Sequence, residues 1–312
     1  MSLATPSPAR AIALKLTAVT SFVVMASCIK ATAPDVGAGQ AAFFRALLAL
    51  PIIVAWLWWT GHLRDGWRTR NPLGHFWRGV IGTTAMLMGF AALGLLPLPQ
   101  VTAIGYAVPV LTVALAALFL GERIRLVRVS AVAMGVVGVS IVLWPDLAGS
   151  AGEGRTLGIV FALGSAVLAA TAQIFVRRLV AVEDAPTVAF WFSVSATVIA
   201  LLTWPLGLFG EWVVPSAMQV GLLVAAGVLG GIGQLCLTAA YRFAEASLIA
   251  PFDYASMLLA IGIGLVVFGE VPRMTTLLGA AVVIAAGAII IWREARLGVE
   301  RGPSRKLMTP QG

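Results

Sequence analysis

Asp253 is a carboxylate placed inside a long apolar stretch, within residues 249–256 of the chain. An ionisable group inside a membrane-spanning segment costs roughly 2.5–3.5 kcal/mol on insertion scales, so it is normally paired or faces water. Two interpretations of Asp253 follow. It either binds a cationic group or a coupling proton in a cavity, or it is a structural acid that accepts hydrogen bonds beside a kink at Pro251.

Several other polar side chains lie inside apolar stretches and are candidates for binding a small molecule. Arg45 either contacts an anionic group of the substrate or extends its long side chain to the membrane surface. Tyr106 and Tyr254 each combine an apolar ring with one hydroxyl, which suits a small-molecule cavity and also core packing. Gln173 and Gln234 either contact substrate or form hydrogen bonds between helices, which contribute about 0.6 kcal/mol in a membrane.

Four charged residues near the ends of apolar stretches are candidate gate or interface residues. They are Lys30, Arg178, Glu122 and Glu270. The two basic residues are expected at opposite faces of the membrane, and so are the two glutamates. For the two glutamates, packing or gating through nearby basic groups is favoured over direct contact with substrate. Lys30 and Arg178 are interpreted as gate residues or as side chains that extend to the membrane surface.

Long apolar elements must hold these residues, and the composition supplies such elements. Of the 312 residues, 60% are apolar and only 11% are charged, against about 25% charged in soluble domains. A purely soluble fold is therefore excluded. Ten apolar runs approach the roughly 20 residues that a membrane-spanning helix needs: residues 11–31, 40–60, 78–96, 101–120, 127–144, 157–176, 188–209, 218–241, 247–268 and 276–292. The predicted fold class is an all-α integral membrane protein with ten transmembrane helices.

The basic residues predict how the chain is oriented. Most of the 21 lysines and arginines, among them Lys15 and Arg78, fall on one side of the ten-span arrangement. An excess of lysine and arginine marks the cytoplasmic side, so both termini are predicted to be cytoplasmic. Because topology accounts for the net charge of +8, that charge predicts no nucleic-acid partner.

The two sets of five spans are related as a repeat. A shift that places Tyr106 on Tyr254 also superimposes a Gly-Glu pair and a basic residue of each half. Because five is odd, the second set must cross the membrane in the opposite sense, a plan that recurs in secondary transporters. The predicted organisation is a cytoplasmic tail (1–10), a first five-helix repeat (11–145), a linker (146–156), a second five-helix repeat (157–292) and a basic cytoplasmic tail (293–312).

Two segments carry a resemblance to a known family. Residues 41–49 read AAFFRALLA, and residues 98–123 end in Gly121-Glu122-Arg123. With the ten spans and the repeat, they resemble the drug/metabolite transporter superfamily, and within it the ten-helix EamA-type transporters. This resemblance implies a bundle whose central cavity moves a small polar metabolite by alternating access. Amino acids, vitamins such as riboflavin, nucleosides and S-adenosylmethionine are substrates of such members, and the motifs do not choose among them.

Other classes of function fit the residues less well. An intramembrane enzyme needs paired acids, a Ser/His pair or histidine ligands in the membrane, whereas His62 and His75 lie in one loop. No metal or cofactor is expected, since Cys28 and Cys236 lie in separate apolar stretches. A channel or a non-transporting scaffold stays open as the alternative. The expected location is the cytoplasmic membrane of a bacterium, and the oligomeric state, the direction of transport and proton coupling stay open.

Overall fold

The computed structural model describes residues 8–61, 67–120, 126–149, 152–180, 182–183, 185–243 and 250–300, and those ranges contain helices and no strand. The first part of the chain forms α1 (Pro8–Thr32), α2 (Ala38–Trp59), α3 (Pro72–Leu95), α4 (Leu98–Gly105), α5 (Ala107–Leu120) and α6 (Leu126–Ala148). The second part forms α7 (Glu153–Val180), α8 (Ala185–Leu206), α9 (Ala217–Phe243), a 3-10 turn (Ala250–Tyr254), α10 (Ala255–Phe268) and α11 (Met274–Glu300). The expected all-α class is confirmed for the described residues.

The apolar character of these helices extends to their outer surface. Within the described residues, six helices are long and apolar enough to cross a membrane, and four shorter apolar segments accompany them. Large apolar side chains such as Leu258, Val266 and Met218 project outward and are exposed. A soluble monomer rarely exposes so much contiguous apolar surface. The chain is therefore a multi-pass membrane protein, and the count of ten spans stays a prediction.

The helical segment that corresponds to the expected fourth span is interrupted between α4 and α5. Pro109 predicts a kink, and the structure places the interruption at Tyr106, just after Gly105 ends α4. The physical reason is the geometry of proline. Pro109 has no N–H to donate to the carbonyl of the residue four positions earlier, which is Gly105, and its ring crowds that carbonyl. The helix therefore ends before this position, and Pro109 lies in the first turn of α5, where proline is tolerated.

The segment expected as a linker, residues 146–156, is largely helical. α6 continues through Asp146 to Ala148, and α7 begins at Glu153. Asp146 is buried, and its carboxylate accepts hydrogen bonds from Arg155 Nε at 2.9 Å and from Gln100 Nε2 at 2.8 Å. These contacts keep the end of α6 against the start of α7. The connection between the two helices is correspondingly short.

Helices from the first part of the chain pack on helices from the second part. The four most extensive pairs are α1 with α9, α3 with α7, α6 with α11 and α2 with α8. α4 also packs on α10, and α1 packs on the 3-10 turn. The two parts are therefore interleaved, and any cavity between α3 and α7 lies at their junction.

The crossing of α6 and α11 depends on two glycines in contact. A Cβ atom added at Gly279 would lie 2.5 Å from the carbonyl oxygen of Gly138 and 2.8 Å from the backbone nitrogen of Val142. A Cβ atom at Gly138 would in turn lie 2.9 Å from the carbonyl oxygen of Gly279. Small residues allow helix backbones to approach this closely in a membrane, where packing rather than the hydrophobic effect holds helices together.

Gly279→Ala is expected to destabilise the protein, because the added methyl group meets backbone atoms that cannot move without separating α6 and α11. Overpacking of this kind costs about 1–3 kcal/mol. The matched control is Gly262→Ala in α10, where an added Cβ has no atom within 4 Å. Thermal unfolding of the purified protein in detergent should show a lower melting temperature for Gly279→Ala only. Equal melting temperatures for the two variants would contradict the glycine contact.

Candidate functional site

A cavity of about 350 Å³ lies between α3, α4 and α7, with a contribution from α1. Most of its wall is apolar, and Phe90, Leu98 and Val101 are examples. Its polar side chains are those of Arg78, Thr102, Ser165 and Gln173. Pockets that bind small molecules have this character, with an apolar wall and a few placed polar groups. The cavity brings one residue of the sequence prediction, Gln173, to the junction of the two parts of the chain.

Arg78 is the charged residue in the wall of this cavity. Its guanidinium carbon lies 4.1 Å from the centre of the Phe192 ring, which is a cation–π contact. A Cβ atom at Gly82 would overlap Arg78 Nη1, so the guanidinium occupies the space that Gly82 leaves one helical turn away. The Nε and Nη1 atoms of Arg78 are buried and have no hydrogen-bond acceptor among the described residues.

Arg45 lies behind the wall of the same cavity. Its Nη1 atom donates to the sulfur of Met86 at 3.5 Å, and Met86 lines the cavity. Its Nε atom is buried and has no acceptor. The guanidinium of Arg45 is thus directed toward Met86, inside the helix bundle. Its charge is close enough to that of Arg78 for the two to repel each other.

Asp253 lies in the 3-10 turn before α10 and forms an ion pair with Lys15 of α1, at 2.7 Å. The lysine side chain is only 2% exposed, whereas the aspartate side chain is 50% exposed. The charge pattern places Lys15 and Arg78 with the residues that orient the chain at the cytoplasmic surface. The structure adds that both side chains are enclosed by the protein, since Lys15 is buried beside Asp253 and Arg78 lines the cavity.

Lys30 and Glu270 form a second ion pair, at 2.9 Å, between α1 and the turn that follows α10. Lys30 Nζ also donates to the carbonyl oxygens of Leu93 at 3.0 Å and Leu96 at 2.8 Å. Glu270 Oε2 accepts the backbone N–H of Leu98 at 2.8 Å, at the start of α4. The turn itself is made by Gly269, whose φ of 65° ends α10 in the left-handed region. One ion pair thus joins α1, the end of α3, the start of α4 and the end of α10.

Tyr106 and Tyr254 meet at the ends of the interrupted segments. Their rings are 5.4 Å apart between centroids in an edge-to-face arrangement. The Tyr106 hydroxyl lies 2.6 Å from Ser256 Oγ, and Ser256 Oγ donates to the carbonyl oxygen of Asp253 at 2.6 Å. Tyr106 is therefore connected through Ser256 to the residue that pairs with Lys15.

The remaining candidate residues are not gathered with these. Gln234 is half-buried in α9 and is not part of the cavity wall. Arg178 is exposed near the end of α7. Glu122 lies outside the described residues. The structure thus brings Tyr106 close to Tyr254, Lys30 close to Glu270, and Gln173 to the cavity wall.

Sequence reasoning missed Arg78 because it started the third span at that residue. α3 begins six residues earlier, at Pro72, with Asn71 as its N-cap; the Asn71 side chain accepts the N–H of Gly74 at 2.9 Å. An Asn-Pro pair before an apolar run is a helix-start signal. That signal would have placed Arg78 inside the helix rather than before it. Lys15 had no such signal, since its partner Asp253 is remote in sequence.

A polar contact outside the spans joins the loop before α3 to the loop after α7. Glu183 accepts hydrogen bonds from Thr69 Oγ1 at 2.6 Å, from His75 Nε2, and from the backbone N–H groups of Arg70 at 2.8 Å and Asn71 at 3.0 Å. Burial opposes ionisation of this carboxyl, but the four hydrogen bonds outweigh burial and lower its pKa to about 2. Glu183 therefore holds the N-terminus of α3, and with it Arg78, against the end of α7.

The buried charges, the internal cavity and the lipid-facing surface together define a helical membrane protein that can hold a small molecule between its two parts. The sequence model of the EamA-like transporter family matches the chain twice, over residues 9–144 and 156–292. The chain belongs to the EamA-like transporter family, and so to the drug/metabolite transporters. It is a transporter and not an enzyme, as the sequence predicts.

Three curated relatives are named as transporters of metabolites. The chain is 28% identical to the pseudopaline exporter of Pseudomonas aeruginosa over 85% of its length and 90% of that protein. It is 31% identical to a riboflavin transporter of Rhizobium johnstonii, over 76% of this chain and 75% of that one. It is 25% identical to an S-adenosylmethionine uptake transporter of Rickettsia felis, over 82% of this chain and 84% of that one.

A solved crystal structure shares the fold. It superimposes with a TM-score of 0.64 over 93% of this chain and 99% of its own, at 21% sequence identity. At that identity the likeness concerns the arrangement of the helices alone.

Glu183→Gln is expected to destabilise the protein at neutral pH, because a neutral amide oxygen accepts the hydrogen bonds from Thr69, Arg70 and Asn71 less strongly than a carboxylate does. Hydrogen bonds to charged groups contribute about 1.5–3 kcal/mol, against about 0.5–1.5 kcal/mol for neutral pairs. Since the pKa of Glu183 is lowered from 4.5 to about 2, its contribution is present above pH 4.5 and is lost as the pH falls toward 2. Thermal unfolding at pH 7 should therefore separate the variant from the unmodified protein, and the difference should shrink at acidic pH.

The matched control is Glu153→Gln, which removes an exposed carboxylate from the first turn of α7. It should unfold like the unmodified protein at each pH. If Glu183→Gln behaved in the same way, the four hydrogen bonds would carry no measurable stability.

Proposed function

We propose that this protein is a secondary transporter that moves a small polar metabolite across the bacterial cytoplasmic membrane by alternating access. Ten spans in two inverted five-helix repeats, 11–145 and 157–292, form the transporter, and both termini are cytoplasmic. The single observation that carries the proposal is the cavity at the junction of the two parts, between α3, α4 and α7. Secondary transporters with inverted repeats bind substrate at such a junction near the midplane.

The helix contacts support the inverted repeat. If α1 corresponds to α7 and α3 to α9, then the pair α1–α9 corresponds to the pair α7–α3, and both pairs are extensive. The pairs α2–α8 and α6–α11 each join a helix to its own counterpart. The two family matches, 9–144 and 156–292, divide the chain in the same place. A pseudo-two-fold relation between the two parts accounts for all of these contacts.

Two ion pairs at different depths are the proposed gates. Lys15 and Lys30 lie on α1 about 22 Å apart, at 1.5 Å rise per residue. Lys15 pairs with Asp253 at the start of the ninth span, and Lys30 pairs with Glu270 at its end. Alternating access requires that one end opens while the other stays closed. In the predicted orientation the Lys30 pair closes the outer end, and the half-exposed Asp253 belongs to the inner end.

Glu122 and Arg178 are proposed to act at the inner end as the repeat-related counterparts of Glu270 and Lys30. Asp253 is proposed to exchange a proton or to meet a cationic group when its pair with Lys15 opens. Tyr106, Tyr254, Gln173, Gln234 and Arg45 complete the proposed substrate pathway. The names of the relatives support a metabolite as substrate, of the size of riboflavin or S-adenosylmethionine.

A channel is the second candidate, and the cavity wall distinguishes it from a transporter. A channel needs a continuous polar lining that lets solutes pass without closing. The wall of the described cavity is mainly apolar, and the Lys30–Glu270 pair contacts the backbone of Leu98 in that wall. Saturable transport would support the transporter, and unsaturated flux would support the channel.

Asp253→Asn is expected to lower the transport rate roughly tenfold or more, because it removes the ion pair between Asp253 and Lys15. A tenfold lower rate corresponds to a barrier about 1.4 kcal/mol higher. Metabolite pools of cells with and without the protein identify the transported compound, and its flux is then measured in the variant. Asp35→Asn, which removes an exposed carboxylate bonded to Gln219, is the matched control. An unchanged flux in Asp253→Asn, at equal amounts in the membrane, would remove Asp253 from the mechanism.

The topology is tested separately from transport. A reporter fused after Gly312 is expected to give a cytoplasmic signal, because an even number of spans returns the chain to the side from which it starts. A second reporter inserted after Gly152, between α6 and α7, should give a periplasmic signal. A periplasmic signal from the fusion after Gly312 would contradict the two inverted five-helix repeats.

A further inference from the structure

Two arginines at the cavity between α3, α4 and α7 have hydrogen-bond donors without acceptors. Arg78 leaves Nε and Nη1 unpaired, and Arg45 leaves Nε unpaired. All three atoms are buried. In the part of the chain that the structure describes, neither guanidinium forms an ion pair, whereas Lys15 and Lys30 each have a carboxylate.

Buried guanidinium groups with unpaired donors are unusual inside a membrane protein. Charged side chains within a membrane are normally paired, and those that are not mark a pathway for a charged ligand. A guanidinium presents a planar fork of donors that matches a carboxylate or a phosphate group. A guanidinium with free donors at a cavity is thus suited to an anion with two or more acceptor oxygens.

The surroundings of Arg78 hold its guanidinium at the cavity. Phe192 supports the guanidinium at 4.1 Å, and Gly82 leaves the space that Nη1 occupies. Met86 separates Arg45 from the cavity, so Arg45 contributes positive potential rather than direct contact. Arg78 is thus a cation held at the cavity wall, and Arg45 is a second positive charge behind that wall.

We propose that the cavity binds an organic anion, and that Arg78 receives its carboxylate or phosphate group while Arg45 strengthens the positive potential. This inference rests on the proposed function and names the substrate class of that same site. Gln173 is the other donor in the cavity wall and completes the anion-binding end.

The rest of the cavity defines the body of the ligand. Phe90, Leu98 and Val101 contact an apolar portion. The Ser165 hydroxyl donates to the carbonyl oxygen of Ala85 at 2.7 Å, and the Thr102 hydroxyl donates to that of Leu98 at 2.8 Å. Both hydroxyl oxygens are thus left as acceptors. The ligand carries an anionic group at one end, an apolar body, and an N–H or O–H donor between them.

The test uses matched probes that differ in charge alone. The full chain is placed in nanodiscs of phosphatidylcholine, and its thermal unfolding is followed with N-acetylphenylalanine and N-acetylphenylalaninamide, and with phenylacetate and phenylacetamide. Each carboxylate is expected to stabilise the protein at a concentration at least tenfold lower than its amide. An equal response to carboxylate and amide in both pairs would overturn the proposal.

Four variants assign the preference to Arg78. Arg78→Gln should reduce the response to each carboxylate to that of its amide, and Arg78→Lys should keep part of it. Gly82→Ala keeps the charge but displaces the guanidinium, so it should weaken the carboxylate response. Arg70→Gln, which removes an exposed arginine eight positions before Arg78, should bind as the unmodified protein does. A carboxylate preference that survives in Arg78→Gln would overturn the assignment.

A second bilayer distinguishes a free anion from a lipid headgroup. In nanodiscs that contain phosphatidylglycerol, the response to the carboxylates should be unchanged. If anionic lipid abolished it, the occupant would be a lipid phosphate, and the small-molecule proposal would be wrong. Because binding is measured without transport, these outcomes do not depend on whether Asp253→Asn alters flux.

Discussion

The attachment of α1 to the second part of the chain at two levels is the interaction on which the rest of the site depends. Lys15 and Lys30 are charges in an apolar surrounding, where an unpaired charge is costly. Their carboxylate partners, Asp253 and Glu270, lie at the two ends of one apolar helical segment, formed by the 3-10 turn and α10. Glu270 also accepts the first N–H of α4, so the same contact positions the wall of the cavity. In an apolar medium, the two ion pairs thereby hold α1 against the segment that contains the 3-10 turn and α10.

Proline and glycine residues determine the local shape of the helix bundle. Pro109 ends α4 at Gly105 and leaves Tyr106 at the interruption, where its hydroxyl reaches Ser256 beside the 3-10 turn. Gly138 and Gly279 bring α6 and α11 into backbone contact elsewhere in the bundle. The interruptions thus gather polar atoms at the junction of the two parts, while the glycine contact keeps a distant pair of helices together.

Arg78 and Arg45 differ from Lys15 and Lys30 in how their charges are paired. The lysines have carboxylate partners within the chain, whereas the arginines leave buried donors unpaired in the described structure. We therefore distinguish structural charges, which have a partner within the chain, from ligand-binding charges, which do not. The proposed anion-binding transporter needs both kinds. A cavity arginine that already had a carboxylate partner would not attract an anion, and a lysine without a carboxylate would be costly in an apolar surrounding.

Local composition and spacing were sufficient for the helical class, the membrane environment and the family, since hydropathy and motifs are read along the chain. The partners of the charged residues were not predictable in this way. Lys15 and Arg78 look like orienting residues at the ends of apolar runs, and Asp253 looks like an isolated acid. Only the tertiary structure pairs Lys15 with Asp253 and, among the described residues, gives Arg78 no carboxylate partner. Ion pairs form between side chains that are close in space and can be remote in sequence.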